Sequence, residues 1–119
     1  MNNNIFTPKL SKKYKKDVKA LEKDTSGKYD LSKLDEVLKI LIDGQTLPEK
    51  YNDHKLVGKF EKNNDRECHL GPDWVLRYRL DKQKRILHLL STGDHRRVLG
   101  IEAFDMTKNY YGLNIWIIV

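Results

Sequence analysis

The chain has 119 residues, 39% of them hydrophobic and 34% charged, about the length of one domain and polar without being of disordered composition. One cysteine, Cys68, excludes an internal disulfide and a zinc site built on cysteines. No apolar run reaches the ~18 residues that span a bilayer, and the opening residues carry no basic, apolar secretory signal, so a cytoplasmic protein is expected. The net charge of +6 is uneven: residues 1–23 hold seven lysines against Asp17 and Glu22, and residues 52–100 hold eleven basic side chains against seven acidic ones. Two positive regions suit a polyanion, of which nucleic acid is the common one.

In chain order, Ile5 to Pro8 reads as an edge strand, because proline lacks the N–H that an interior strand requires. Ser11 is placed to cap a helix in which Leu10, Tyr14, Val18 and Leu21 share one face. Its lysines occupy the remaining surface, and Gly27 is expected to end it. A second helix opens at Asp30, carries Leu31, Leu34, Val37, Leu38, Leu41 and Ile42 on one side and closes at Gly44. The short connection predicts antiparallel packing of the two helices.

The period then changes to two. Strands are expected over Val57 to Glu61 and Arg66 to Leu70, followed by a turn at Gly71-Pro72-Asp73. In the next strand Trp74, Leu76, Tyr78 and Leu80 alternate with Val75, Arg77 and Arg79. Ile86 to Leu90, apolar on both faces, reads as a buried central strand, and Ser91 to Asp94 as a turn. The expected fold is α+β: two N-terminal helices on one face of a mainly antiparallel sheet of four to five strands, formed by residues 1–100. Residues 101–119 make an atypical C-terminal extension whose apolar end, Leu113 to Val119, is expected to be covered.

Four histidines punctuate the strands. His88 lies mid-strand among leucines and reads as a partly buried structural residue. His54, His69 and His95 lie at element ends or beside turns, where a rigid sheet carries function. Asp73 stands in the tight turn after His69, so those two side chains are expected to meet. Histidine can take and give a proton near neutral pH. Those powers suffice to cut RNA, if one group removes the 2′-OH proton, another protonates the leaving 5′-oxygen, and cations stabilise the phosphoryl charge. Arg77 and Arg79 share the strand face of Asp73, and Trp74 offers a ring for a base, although alternation favours the core for it. A zinc site is the competing reading, but no pair shows a compact ligand spacing, so no metal or other cofactor is expected.

The motifs Asp53-His54-Lys55-Leu56-x-Gly58, His69-x-x-Pro72-Asp73-Trp74-Val75-Leu76-x-Tyr78 and Thr92-Gly93-x-His95 resemble the YafQ branch of the RelE/ParE toxin superfamily over roughly residues 5–100. The resemblance implies a type II toxin that cuts mRNA in the ribosomal A site, neutralised by a cognate antitoxin, with ribosome and mRNA as further partners. It implies catalytic roles for His54, His69, Asp73 and His95, with His95 most directly in proton transfer. RNA contacts fall to Trp74, Arg77, Arg79, Lys55, Arg97 and Leu99, the last standing where the family places phenylalanine. The lysine-rich first helix is assigned to ribosomal RNA. The alternatives are a ParE-like toxin that binds DNA gyrase, which lacks this histidine set, and a non-catalytic nucleic-acid-binding relative.

Overall fold

A computed structural model of the protein describes residues 5–100. The elements run β1 (Thr7–Leu10), α1 (Lys12–Lys23), α2 (Leu31–Ile42), β2 (His54–Lys55), β3 (Arg66–Gly71), β4 (Trp74–Asp81), β5 (Ile86–Gly93) and α3 (His95–Leu99), with 3-10 turns at Glu49–Tyr51 and Gly58–Asn63. The five strands form one sheet in the order β1-β5-β4-β3-β2. The edge strand β1 runs parallel to β5, and the other pairings are antiparallel. Residues 101–119, including the segment Leu113 to Val119, lie outside the described residues.

Capping follows the expected chemistry at both long helices. Ser11 accepts a hydrogen bond from the Tyr14 amide, and Asp30 accepts from Ser32, satisfying amides that a helix start leaves open. α1 stops at Lys23, before Gly27. Asp24 turns extended and its carboxylate accepts from the Ser26 amide at 2.8 Å, a local bond that competes with the helix.

Pleat alternation divides the sheet into two faces. Toward α1 and α2 point Cys68, Leu70, Trp74, Leu76, Tyr78, Leu87 and Leu89, packed with Tyr14, Leu21, Leu34, Val37 and Leu41. Each buried aliphatic side chain contributes about 1.5–3 kcal/mol. On the other face Val75 packs with Leu56, Val98, Leu99 and the half-buried Phe60. That second face carries the polar side chains of interest.

Two expected elements differ. Val57 to Glu61 is not a strand: Gly58 has φ +75°, and Gly58–Asn63 is a 3-10 turn that ends left-handed at Asn64. Pairing with β3 is confined to His54–Lys55. Ser91 to Gly93 continue β5 rather than turning, and Asp94 caps the short α3 by accepting from the Arg97 amide. No helix among the described residues is long and apolar enough to cross a membrane.

Candidate active site

Sheet register assembles the site. His54 on β2 stands opposite Glu67 on β3, and Glu67 shares its face of β3 with His69, two residues on. Past a register shift between His69 and Gly71, the turn holds Asp73 at φ +50°. His95 opens α3 at the end of β5. His54, His69 and His95 stand in a row, with ring centroids 5.6 and 5.5 Å apart and ring planes tilted by 32° and 46°.

The expected encounter of His69 with Asp73 is not the one that forms. Asp73 Oδ1 accepts from the His95 amide at 2.9 Å and lies 2.7 Å from His95 Nδ1. Partial burial would raise the Asp73 carboxyl, but these bonds and the imidazole charge outweigh it and hold it below its ordinary value. His54 Nδ1 lies 3.1 Å from the Lys55 carbonyl, and His69 Nδ1 lies 3.3 Å from the Asn52 carbonyl. Each imidazole thus has an oxygen beside Nδ1, which favours a proton there and leaves Nε2 as the nitrogen free to exchange a proton.

The three Nε2 atoms converge on Glu67, which sequence reasoning did not select. Its carboxylate oxygens lie 3.5 Å from His95, 3.6 Å from His69 and 3.8 Å from His54. Glu67 is fully buried, and neither oxygen has a hydrogen bond. Burial pushes its carboxyl up to about 9. Burial also lowers His54 and His69, the latter helped by its histidine neighbours. Glu67 is therefore a neutral acid beside two neutral imidazoles, His54 and His69, at pH 7 rather than their ion-pair partner. The signal available in the sequence was the Glu67-x-His69 spacing, which places both on one strand face.

Register also supplies what spacing along the chain lacks. Ligating atoms of His54, Glu67 and His69 lie within 4.8 Å of one another. Two imidazoles and an unbonded carboxylate are a donor set that fits a transition metal.

Several residues assigned to RNA are committed elsewhere. Trp74 is 1% exposed; it packs edge-on against Tyr29 and donates Nε1–H to Thr92 Oγ1, so it offers no face to a base. Leu99 is 2% exposed, inside the second core cluster. Arg77 and Arg79 lie on the expected face but both donate to the fully buried Asp65, at 2.8 and 2.7 Å. Arg97 donates to Asp17 at 2.6 Å. Lys55 is exposed and lines a cavity of about 660 Å³ with Lys59 and Lys62. His88 stands apart, in register with Lys9 and Arg79.

Two helices on one face of this sheet, with a histidine cluster on the other, define a bacterial toxin of a type II toxin–antitoxin system: the profile of the toxins described as YafQ matches residues 6–100. The chain belongs to the YafQ family. It is 35% identical to the mRNA interferase toxin YafQ of Escherichia coli K12 over 91 residues, covering 76% of this chain and 91% of that protein. Among solved structures, a metal-bound toxin from Helicobacter pylori is 39% identical with TM-score 0.71, covering 80% of this chain and 100% of that one. The E. coli toxin in its complex with DinJ is 32% identical with TM-score 0.68, covering 80% and 99%.

Proposed function

We propose that this toxin is a ribosome-dependent mRNA endoribonuclease of the cytoplasm that works by histidine and aspartate acid–base chemistry. The observation that carries the reading is the convergence of three imidazole Nε2 atoms, each with its Nδ1 set against an oxygen. His69 is assigned as the base that takes the 2′-OH proton. The oxygen then attacks the adjacent phosphorus, the P–O5′ bond breaks, and His95, acting as the imidazolium with Nδ1–H held by Asp73, gives its Nε2 proton to the leaving oxygen and is left neutral. His54 completes the row. The His54 and His95 Nε2 atoms are closed off from solvent, so bound RNA must open a path to them; catalytic contacts commonly tighten only in the bound state. Antitoxin control is the matching proposal for partners, supported by the DinJ complex of the E. coli relative and by the +6 charge, which attracts an acidic chain.

A second reading rests on the 4.8 Å donor cluster and the metal-bound H. pylori relative. His54, Glu67 and His69 would hold the ion, which would supply Lewis-acid activation. Occupied imidazole lone pairs would then be withdrawn from proton transfer. The test is incubation of the protein with an mRNA alone and on translating ribosomes, with cut sites mapped and metal content measured on the same preparation. Cleavage confined to ribosome-bound message by metal-free protein is expected. Equal cutting of free RNA would overturn the ribosome dependence, and activity proportional to metal content would favour the second reading.

A further inference from the structure

α1 lies on the sheet face opposite the histidines, yet one of its carboxylates reaches the end of the sheet that carries His95. Asp17 is 1% exposed. Its Oδ2 accepts from Ser91 Oγ at 2.7 Å and from the Thr92 amide at 3.1 Å, and its Oδ1 accepts from Arg97 Nε at 2.6 Å. Lys13, one turn earlier, donates to Ser91 Oγ at 2.6 Å and to the Arg97 carbonyl at 3.0 Å. α3 has only five residues, too few to hold its own position. Its place depends on such ties.

A second feature shows that this path is built. Gly93 has φ +144°, and a Cβ there would lie 2.9 Å from Arg97 Cδ. The missing side chain at Gly93 is what lets the Arg97 stem pass the strand end on its way to Asp17. We propose that the Asp17–Arg97 bond, threaded past Gly93, is a positioning device that fixes α3 and thereby holds the His95 imidazole by Nδ1 against Asp73. Arg97 is then a positioning residue and not an RNA contact. The proposal rests on the role given above to His95.

The test compares the parent protein with Arg97→Ala and Gly93→Ala. The second variant keeps every charge and closes the passage, at the cost of strain at φ +144°, so folded Arg97→Ala carries the decision. Nitrogen-15 NMR of the histidine rings reads the His95 tautomer directly, and cleavage of ribosome-bound message gives kcat and KM. In both variants the Nδ1–H tautomer of His95 is expected to lose its dominance, with kcat about 10-fold lower and KM for RNA unchanged. Arg97→Lys, which keeps the charge without the Nε geometry, is expected to behave as Arg97→Ala does. An unchanged His95 tautomer in folded Arg97→Ala would overturn the proposal. So would a loss confined to KM, which would make Arg97 an RNA contact. If the parent cuts no RNA, the proposed function fails, while the tautomer measurement still decides whether the link exists.

Discussion

Asp73 and His95 are 22 residues apart in sequence and joined by two contacts to one carboxylate oxygen. The carboxylate holds the ring by Nδ1, as an orienting group must. Asp73→Asn is expected to lower kcat by on the order of 10²-fold, and His95→Ala by up to 10⁴-fold, the usual range for proton-transfer groups; single-turnover cleavage rates check both. His69, as base, must be neutral to act, and burial lowers its proton affinity. The rate should therefore rise with pH through a limb below the ordinary histidine value of about 6.5. A limb above that value would remove His69 from the base role. Glu67 works in the opposite sense. Its carboxyl, raised to about 9 by burial, binds a proton in the folded state that the unfolded chain releases in the ordinary carboxylate range. Stability is then lost as pH rises between those two values. Glu67→Gln removes that dependence, so its melting temperature should exceed the parent's by a margin that widens from pH 5 to pH 9. The place of the three clustered histidines and Asp73 at one end of the sheet was legible because strand-end positions survive small errors in element boundaries. Glu67 was not, since its importance depends on the His54–Glu67 register. Asp17 carried a usable signal: it stands three residues after Tyr14 and four before Leu21, on the buried helix face.

At the scale of elements, periodicity located α1, α2 and the long strands β4 and β5, where many residues repeat one pattern. It failed over 57–63, where Gly58 takes a left-handed conformation that no hydropathy pattern encodes. It also missed α3, whose five residues are barely more than one turn. The arginines of β4 mark the same boundary between pattern and packing. Alternation put Arg77 and Arg79 on the site's face of the sheet, but only the fold brings Asp65 between them. Arg77 also lies over the Phe60 ring at 4.5 Å, which ties the Gly58–Asn63 turn to β4. Asp65→Ala would strand two guanidinium groups, one of them with a side chain only 16% exposed. Breaking a buried pair in this way costs about 3–5 kcal/mol, measurable as a lower denaturant midpoint. A variant as stable as the parent would mean that the arginines are effectively solvated.

Across the whole molecule, the positive charge of α1 and the histidine row occupy different faces of the sheet. Lys12, Lys15, Lys16 and Lys19 are exposed, whereas Lys13 is bound to Asp17 and Ser91. Neutralising the four exposed lysines should weaken ribosome binding and flatten its salt dependence, by about 0.7–0.9 in slope for each phosphate that a lysine had neutralised, without changing the position of cleavage. An unchanged slope would make this helix face a solvated surface only. The central claim, that imidazoles move protons on and off the RNA's own hydroxyl and leaving oxygen, is tested most directly by the chemistry of the cut ends. Attack by the 2′-oxygen leaves a 2′,3′-cyclic phosphate, or its 3′-phosphate hydrolysis product, on one fragment and a 5′-hydroxyl on the other, and these are the ends predicted for message cut by the purified toxin. A 5′-phosphate with a free 3′-hydroxyl would show that water or hydroxide was the nucleophile, and would contradict it.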